Sequence, residues 1–182
     1  MFIDMELVKT IKYYCMQHSV DVDFTKDIIL FDDGTGRGQQ IVQWNISDKL
    51  PQPSMEELEA LEPEALLYYA RQDKLDELHT KFADVLENGH CTSSLGFEID
   101  ANSTSCRNVS GVLVVMGPDE VVQFCDYNNV FHTCTRSNLE TIQLEIIEYG
   151  NKKYQEKWSL RAQILVATTA EEVEAITIDF GL

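Results

Sequence analysis

The sequence is poor in basic residues, with 14 Lys and Arg against 31 Asp and Glu among 182 residues, for a formal net charge of -17. A surface of that sign repels phosphate groups, which argues against nucleic acids and anionic membranes as partners. The sequence also lacks any apolar run near the roughly 20 residues that span a bilayer. Its first residues, Met1–Glu6, lack the basic and apolar pattern of a secretion signal, so we expect synthesis in a cytoplasm.

Paired cysteines are missing as well. The five cysteines include no Cys-x-x-Cys pair, and an odd number cannot all form bridges within one chain. They are Cys15, Cys91, Cys106, Cys125 and Cys134. We interpret them as free thiols of a reducing compartment, with cross-links between chains as the minority alternative.

No catalytic motif surrounds any of the four histidines. Cys134, His132 and Asp126 could form a thiol–imidazole site. However, His132 and Cys134 are two residues apart on a predicted strand, and such residues share a face without being arranged as nucleophile and base. A mixed zinc site would need a recognisable ligand spacing, which is absent from its four candidates, His90, Cys91, Cys106 and His132. The sequence therefore predicts a non-enzymatic protein with no metal and no cofactor.

What is present fits a globular protein, because 44% of the residues are hydrophobic and 25% are charged. The order of its predicted helices and strands indicates the α+β class. Glu6–Gln17 has the apolar spacing of a helix. Phe24–Phe31 and Gln39–Trp44 predict a β-hairpin across a glycine-rich turn, Asp32–Gly38. The glycines of that turn lack the spacing and the following helix of a nucleotide-binding loop. Residues 1–53 are thus predicted to form a small module of one helix and one hairpin.

A helical connector is predicted for residues 54–94. Lys49–Pro53 carries two prolines that end the preceding structure, and Ser54–Glu57 has the form of a capping box. Glu62-Pro63 offers a second helix start, so we expect two helices or one kinked helix, ending at Gly89. The apolar stripe of this segment is more typical of a core or a helical partner face than of a ligand site.

The remaining residues, 95–182, predict a C-terminal α+β domain. Short apolar runs separated by turns predict a small antiparallel sheet, with Val112–Met116 among its strands. Helical spacing runs from Ser137 to Leu165, with a break or a loosening of the helix expected at Gly150-Asn151, and a short last helix begins at Thr169. The expected order is a sheet followed by a helical hairpin.

Two stretches of the sequence carry motifs that recur in other proteins. Ile28–Gly36, Ile41–Asn45 and Leu50–Leu58 carry a hairpin, a Trp-Asn pair and a Pro-x-Pro-Ser/Thr-x-x-Glu-Leu helix start. In these features they are similar to small tail-region proteins encoded beside the tail fibre in phages and prophages. Gly96–Ile176 resembles a C-terminal domain of uncharacterised function found in tail-fibre and fibre-associated proteins, most strongly over its terminal block, Tyr154–Ile176.

The resemblance implies work at a phage tail and carries no catalytic residues. We therefore expect a non-enzymatic tail structural protein in the virion, an adaptor or decoration that docks on tail-fibre or baseplate proteins. A tail-fibre assembly chaperone is the alternative function, and a homo-oligomer stays open. Rigid aromatic side chains dominate the energetics of many interfaces, and the candidate anchors here are Tyr68, Tyr69, Tyr154 and Trp158. For the last two, the alternative is that they only close the core of their own domain.

Overall fold

The structure, a computed structural model, describes residues 5–32, 34–35 and 38–181 of the chain. These residues form, in chain order, α1 (Met5–Gln17), β1 (Ile28–Phe31), β2 (Gln40–Trp44), α2 (Met55–Asn88), β3 (His90–Thr92), β4 (Glu98–Asp100), α3 (Ser103–Val115), β5 (Val121–Cys125), β6 (Phe131–Thr135), α4 (Arg136–Val166) and α5 (Ala170–Glu174). The described strands pair as antiparallel hairpins, β1 with β2, β3 with β4 and β5 with β6. Helices together with small antiparallel sheets confirm the α+β class.

Two compact units make up the described chain. The first unit comprises the described residues up to Lys74 together with Val166–Ala175. The second unit comprises Leu75–Leu165 and the described residues from Ile176 onward. The division falls inside α2, so that helix contributes residues to both units. The three-domain division that we predicted from the sequence stays a prediction.

The core of the first unit is built by α1 and the hairpin of β1 and β2. On α1, Leu7, Ile11 and Cys15 are buried and recur every four residues, which places them on one face of the helix. They belong to one apolar cluster with Ile28 and Trp44, which the register of the hairpin sets opposite each other. The helix and the hairpin predicted from the sequence are both confirmed.

The first strand of this hairpin begins later than predicted, at Ile28 instead of Phe24. The Asp23 carboxylate accepts hydrogen bonds from the backbone amide and the hydroxyl of Thr25, at 2.8 and 2.6 Å. A side chain that bonds its own backbone in this way favours a turn over a strand. Part of the predicted turn Asp32–Gly38 lies outside the described residues, at Asp33, Gly36 and Arg37.

One uninterrupted helix, α2, follows the two prolines. The Ser54 hydroxyl accepts a hydrogen bond from the Glu57 amide at 3.1 Å, and the Glu57 carboxylate accepts one from the Ser54 amide at 2.7 Å, which confirms the capping box. Pro63 lies inside the helix, so the alternative of two separate helices is wrong. The helix ends before Gly89, as predicted, where a Cβ atom would lie only 2.3 Å from the Val85 carbonyl oxygen.

The core of the second unit brings together α3, α4 and strands β4 and β6. Its fully or nearly buried members are Ile99, Val109, Leu113, Met116, Cys134, Leu139, Ile142 and Ile146. The Arg136 guanidinium donates hydrogen bonds to the carbonyl oxygens of Leu113 and Met116, at 2.9 and 2.7 Å. Because carbonyl groups at the end of a helix lack intrahelical partners, these bonds complete the end of α3 and join it to the start of α4.

Residues 103–115 form the helix α3, and the strand predicted to begin at Val112 is wrong. The Asn102 side chain caps the helix by accepting a hydrogen bond from an amide of its first turn at 2.8 Å. Val109 and Leu113 lie four residues apart and are both buried. A helix therefore places both in the core, which outweighs the strand propensity of the valine-rich run.

Helix α4 continues without a break through Gly150, so the interruption predicted there is wrong. Glycine costs about 1 kcal/mol relative to alanine in a helix interior. Ile146 and Lys153 are buried on either side of Gly150, and their packing holds the helix together. The short helix α5 begins as predicted, because the Thr169 hydroxyl accepts a hydrogen bond from the Glu172 amide at 3.2 Å.

Among the described residues, none of the helices combines the length and the apolar character needed to cross a membrane.

Candidate interaction surface

The four predicted aromatic anchors fall into two pairs, one in each unit. Tyr68 and Tyr69 are half-buried on α2. The Tyr68 ring lies 5.2 Å from the Tyr13 ring of α1 and 5.2 Å from the Tyr69 ring, measured between centroids. The Tyr13 hydroxyl donates to the Glu64 carboxylate at 2.7 Å, and this hydrogen bond raises the pKa of Tyr13. Much of this first pair is therefore occupied by packing inside its own unit.

Tyr154 and Trp158 lie one turn apart on α4 and are 41% and 56% exposed. The Tyr154 ring meets the buried Phe82 ring edge-on at 4.9 Å and lies 6.0 Å from the Trp158 ring. The ammonium group of Lys157 also lies over the Phe82 ring, with its Nζ atom 4.2 Å from the ring centroid. Tyr154 thus links the core to the surface, and Trp158 stands outermost with more than half of its side chain exposed to solvent.

Exposed apolar side chains continue along α4 on both sides of this pair. Leu144, Ile147 and Leu165 are each more than 40% exposed. Together with Tyr154 and Trp158 they form a surface that we call the α4 stripe. Residues separated by alternating steps of three and four lie on one side of a helix, so these five residues share one side of α4, with the polar Asn151 and Arg161 between them. Sequence reasoning found two of its five residues and missed the other three, because α4 also carries a buried apolar row and spacing alone does not tell the two rows apart.

A second exposed apolar surface is the outer face of the hairpin of β5 and β6. Along each strand the side chains alternate between core and solvent. Val122 and Phe124 face the core cluster, while Val121, Cys125 and Phe131 are exposed. Phe131 is 68% exposed and is the direct cross-strand partner of Cys125. Sequence reasoning assigned no role to this face.

Asp126 and His132 are brought together, as the thiol–imidazole hypothesis requires, but they serve the turn between β5 and β6. The Asp126 carboxylate lies 2.8 Å from the Nε2 atom of His132 and also accepts hydrogen bonds from the amides of Asn128 and Val130. The hydrogen bond from His132 lowers the pKa of Asp126. Cys134 is only 2% exposed, and its burial raises the pKa of the thiol. The arrangement organises a hairpin and leaves a poorly reactive sulfur.

The two histidines among the candidate zinc ligands are engaged in ring stacking. His90 stacks on Tyr127 with 4.3 Å between centroids, and His132 stacks on Phe97 at 3.9 Å. Within the described part of the chain, no three His, Cys, Asp or Glu side chains come together as a metal site needs.

Two family models match the chain and together span most of it. The model described as a domain of unknown function (DUF4376) matches residues 69–178, which is more than half of the chain. The model described as XkdW protein matches residues 12–70, and this match indicates a phage-associated protein. No curated protein and no solved structure matches the chain. The predicted resemblance is confirmed as far as phage association, and the tail-fibre part of it stays a prediction.

Proposed function

The chain belongs to the family described as a domain of unknown function (DUF4376), and we propose its function from its phage association and its exposed apolar surface. The protein is a non-enzymatic structural component of a phage tail, an adaptor or decoration at the baseplate or tail-fibre region. It docks on fibre or baseplate proteins and resides in the tail of the virion after synthesis in the host cytoplasm. The observation that carries this proposal is the XkdW match of residues 12–70.

The exposed outer face of the β5–β6 hairpin supports docking as the mode of action. Large apolar side chains gathered on a water-exposed surface are typical of protein interaction sites. This face presents Val121 and Phe131, which are 56% and 68% exposed. Aromatic residues such as Phe131 are enriched in the cores of protein interfaces.

The burial of Cys134, the cysteine of the thiol–imidazole hypothesis, and the charge of the chain support the same proposal. A nucleophilic cysteine needs an accessible thiolate, whereas Cys134 is buried and its pKa is raised. The net charge of -17 disfavours nucleic acid and anionic membrane as partners. Partner proteins with basic or mixed surfaces suit this charge better.

Quantitative mass spectrometry of purified infectious particles tests the proposal. We expect a reproducible copy number per particle that matches the rotational symmetry of a tail ring or fibre. Particles carrying Phe131→Ser should hold fewer copies if the outer hairpin face docks, while Val114→Ser, at an 84% exposed position of α3, is the matched control. Absence of the protein from particles, with abundance in the infected lysate, would contradict a structural role.

Co-expression with the tail fibre separates the structural role from the alternative, a tail-fibre assembly chaperone. A chaperone increases the yield of soluble fibre trimers, whereas a structural component leaves that yield unchanged. Absence from particles combined with rescued trimers would replace our proposal with the chaperone.

A further inference from the structure

We propose that the α4 stripe is the contact surface for a second copy of this chain, with the two α4 helices packed side by side in opposite directions. This inference does not rest on the tail proposal. A dimer would be measured in the purified protein whether or not the protein is found in virions, so the two proposals fail independently.

The stripe has the spacing of a coiled-coil seam. Starting from Leu144, steps of three and four residues alternate without interruption to Leu165, which is three heptads in length. The seven positions are Leu144, Ile147, Asn151, Tyr154, Trp158, Arg161 and Leu165, and all seven are exposed. A buried row of the same helix, which includes Ile142 and Ile146, already packs in the core of the second unit. The exposed seam is therefore a second face of α4, available for a partner.

Charge along α4 identifies the partner as another α4. Residues 136–150 carry three carboxylates and one guanidinium, whereas residues 151–166 carry, apart from the buried Lys153, three cationic groups and one carboxylate. The second half is thus a basic segment in a chain of net charge -17. A helix of opposite polarity brings an acidic half against each basic half, and an antiparallel second copy has that distribution. A two-fold dimer requires such a self-complementary surface.

A register follows from this complementarity. Pairing centred between Tyr154 and Gln155 sets Leu144 opposite Leu165 of the second copy. It also sets Glu148 opposite Arg161, and two-fold symmetry repeats both pairs at the other end. Parallel pairing in register would instead place Arg161 against Arg161, which is unfavourable. The antiparallel arrangement joins apolar ends and opposite charges at once.

Sedimentation equilibrium of the full chain over a range of protein concentrations tests for the dimer. We expect the mass to rise with concentration from 20.8 kDa towards twice that value. Trp158→Ala should raise the dissociation constant by about tenfold or more, because an aromatic residue at the centre of a contact carries much of its binding energy. Val114→Ala, at an exposed position of α3, should leave the dissociation constant unchanged. A monomer at every concentration, or a Trp158→Ala protein that dimerises like the wild type, overturns the proposal.

Charge reversal tests the direction of the helices. Glu148→Arg alone and Arg161→Glu alone should each weaken the dimer, because each places like charges opposite one another. The double variant should restore it, because the exchanged charges again face their opposites across an antiparallel pair. Parallel pairing predicts no restoration, so a double variant as weak as either single one overturns the antiparallel arrangement. Circular dichroism of each variant verifies that these exposed substitutions leave the helices formed.

Engineered cysteines give a second test of direction, carried out with Cys125→Ser so that the exposed native thiol is absent. In the antiparallel register Gln155→Cys lies beside its own symmetry mate and should form a disulfide-linked dimer under mild oxidation. Leu144→Cys lies about 30 Å from its mate at a rise of roughly 1.5 Å per residue and should stay monomeric in a denaturing gel. Equal cross-linking at both positions indicates parallel helices and contradicts the proposal.

Discussion

The buried ammonium group of Lys153 donates a hydrogen bond to the carbonyl oxygen of Phe180, 27 residues further along the chain. The side chain of Lys153 is on α4, and the residue is only 6% exposed. Glu156, one turn along, accepts a second hydrogen bond from the same ammonium group at 3.1 Å. One buried cation therefore fastens the final segment of the second unit to its longest helix.

Replacing this cation tests how much the fastening stabilises the protein. Lys153→Met keeps the length of the side chain but leaves the Phe180 carbonyl oxygen without its donor, which we expect to cost about 1–3 kcal/mol of unfolding free energy. Urea denaturation measures the change. Lys152→Met, at an exposed position of the same helix, is the control and should change the midpoint little. Equal midpoints for the two variants would show that the hydrogen bond adds nothing to stability.

The capping box at the start of α2 gives a second prediction. Ser54→Ala removes the hydroxyl that accepts from the Glu57 amide, and loss of a helix cap costs about 0.5–2 kcal/mol. Thermal unfolding should therefore move to a lower midpoint. Ser159→Ala removes a hydroxyl from an exposed position in α4 and should be neutral or slightly stabilising, since alanine favours a helix interior. A loss of equal size at both positions would contradict the assigned cap.

The five thiols should react in an order set by burial. Cys125 is exposed and should be alkylated first in the native protein. Cys15 is fully buried, and burial raises its pKa to about 11, so it should stay protected at neutral pH together with the buried Cys134. Mass spectrometry after brief iodoacetamide treatment identifies the labelled sites. Unfolding in urea should make all five reactive, and early labelling of Cys15 in the native state would contradict the structure of the first unit.

Acid should weaken the turn between β5 and β6. The hydrogen bond from His132 lowers the pKa of Asp126 below its ordinary 3.8, so the charged carboxylate stabilises the folded state above that pH. This stabilisation is lost as the pH falls from 3.8 through the lower folded-state pKa. Urea midpoints of the wild type should exceed those of Asp126→Asn near neutral pH, and the gap should close in this acidic range. Asp119→Asn, in the exposed turn before β5, is the control for the loss of a surface carboxylate.

Local chemistry made much of the fold predictable. Several local signals act through neighbours within four residues. They are Ser54 and Glu57 at the start of α2, Gly89 after its end, and Thr169 before α5. Capping and turn signals of this kind are readable because the interacting atoms are close in sequence. Helix α1 was also predictable, since its buried residues recur every four positions.

Predictions failed where distant packing decides the local structure. The valine-rich run in α3 favours a strand by propensity, yet burial of Val109 and Leu113 requires a helix. Gly150 weakens α4 locally, and the buried Ile146 and Lys153 compensate through contacts elsewhere in the unit. Only two of the five residues of the α4 stripe were recognised, for the same reason. Burial distinguishes the two apolar rows of the helix, and burial depends on residues that are far away in sequence.

The final segment of the chain covers part of the second unit, so the structure of that unit is completed only when the end of the chain has been synthesised. Lys81 donates a hydrogen bond to the carbonyl oxygen of Ile178 at 2.8 Å, across 97 residues, and the Phe180 ring lies 5.7 Å from the Phe82 ring. A ribosome that adds about 5–20 residues per second needs roughly 5–20 s to make that stretch. During this interval Phe82 has already been made but lacks the segment that covers it. Each nascent chain therefore passes through a stage with an uncovered aromatic surface, and slower translation makes that stage longer.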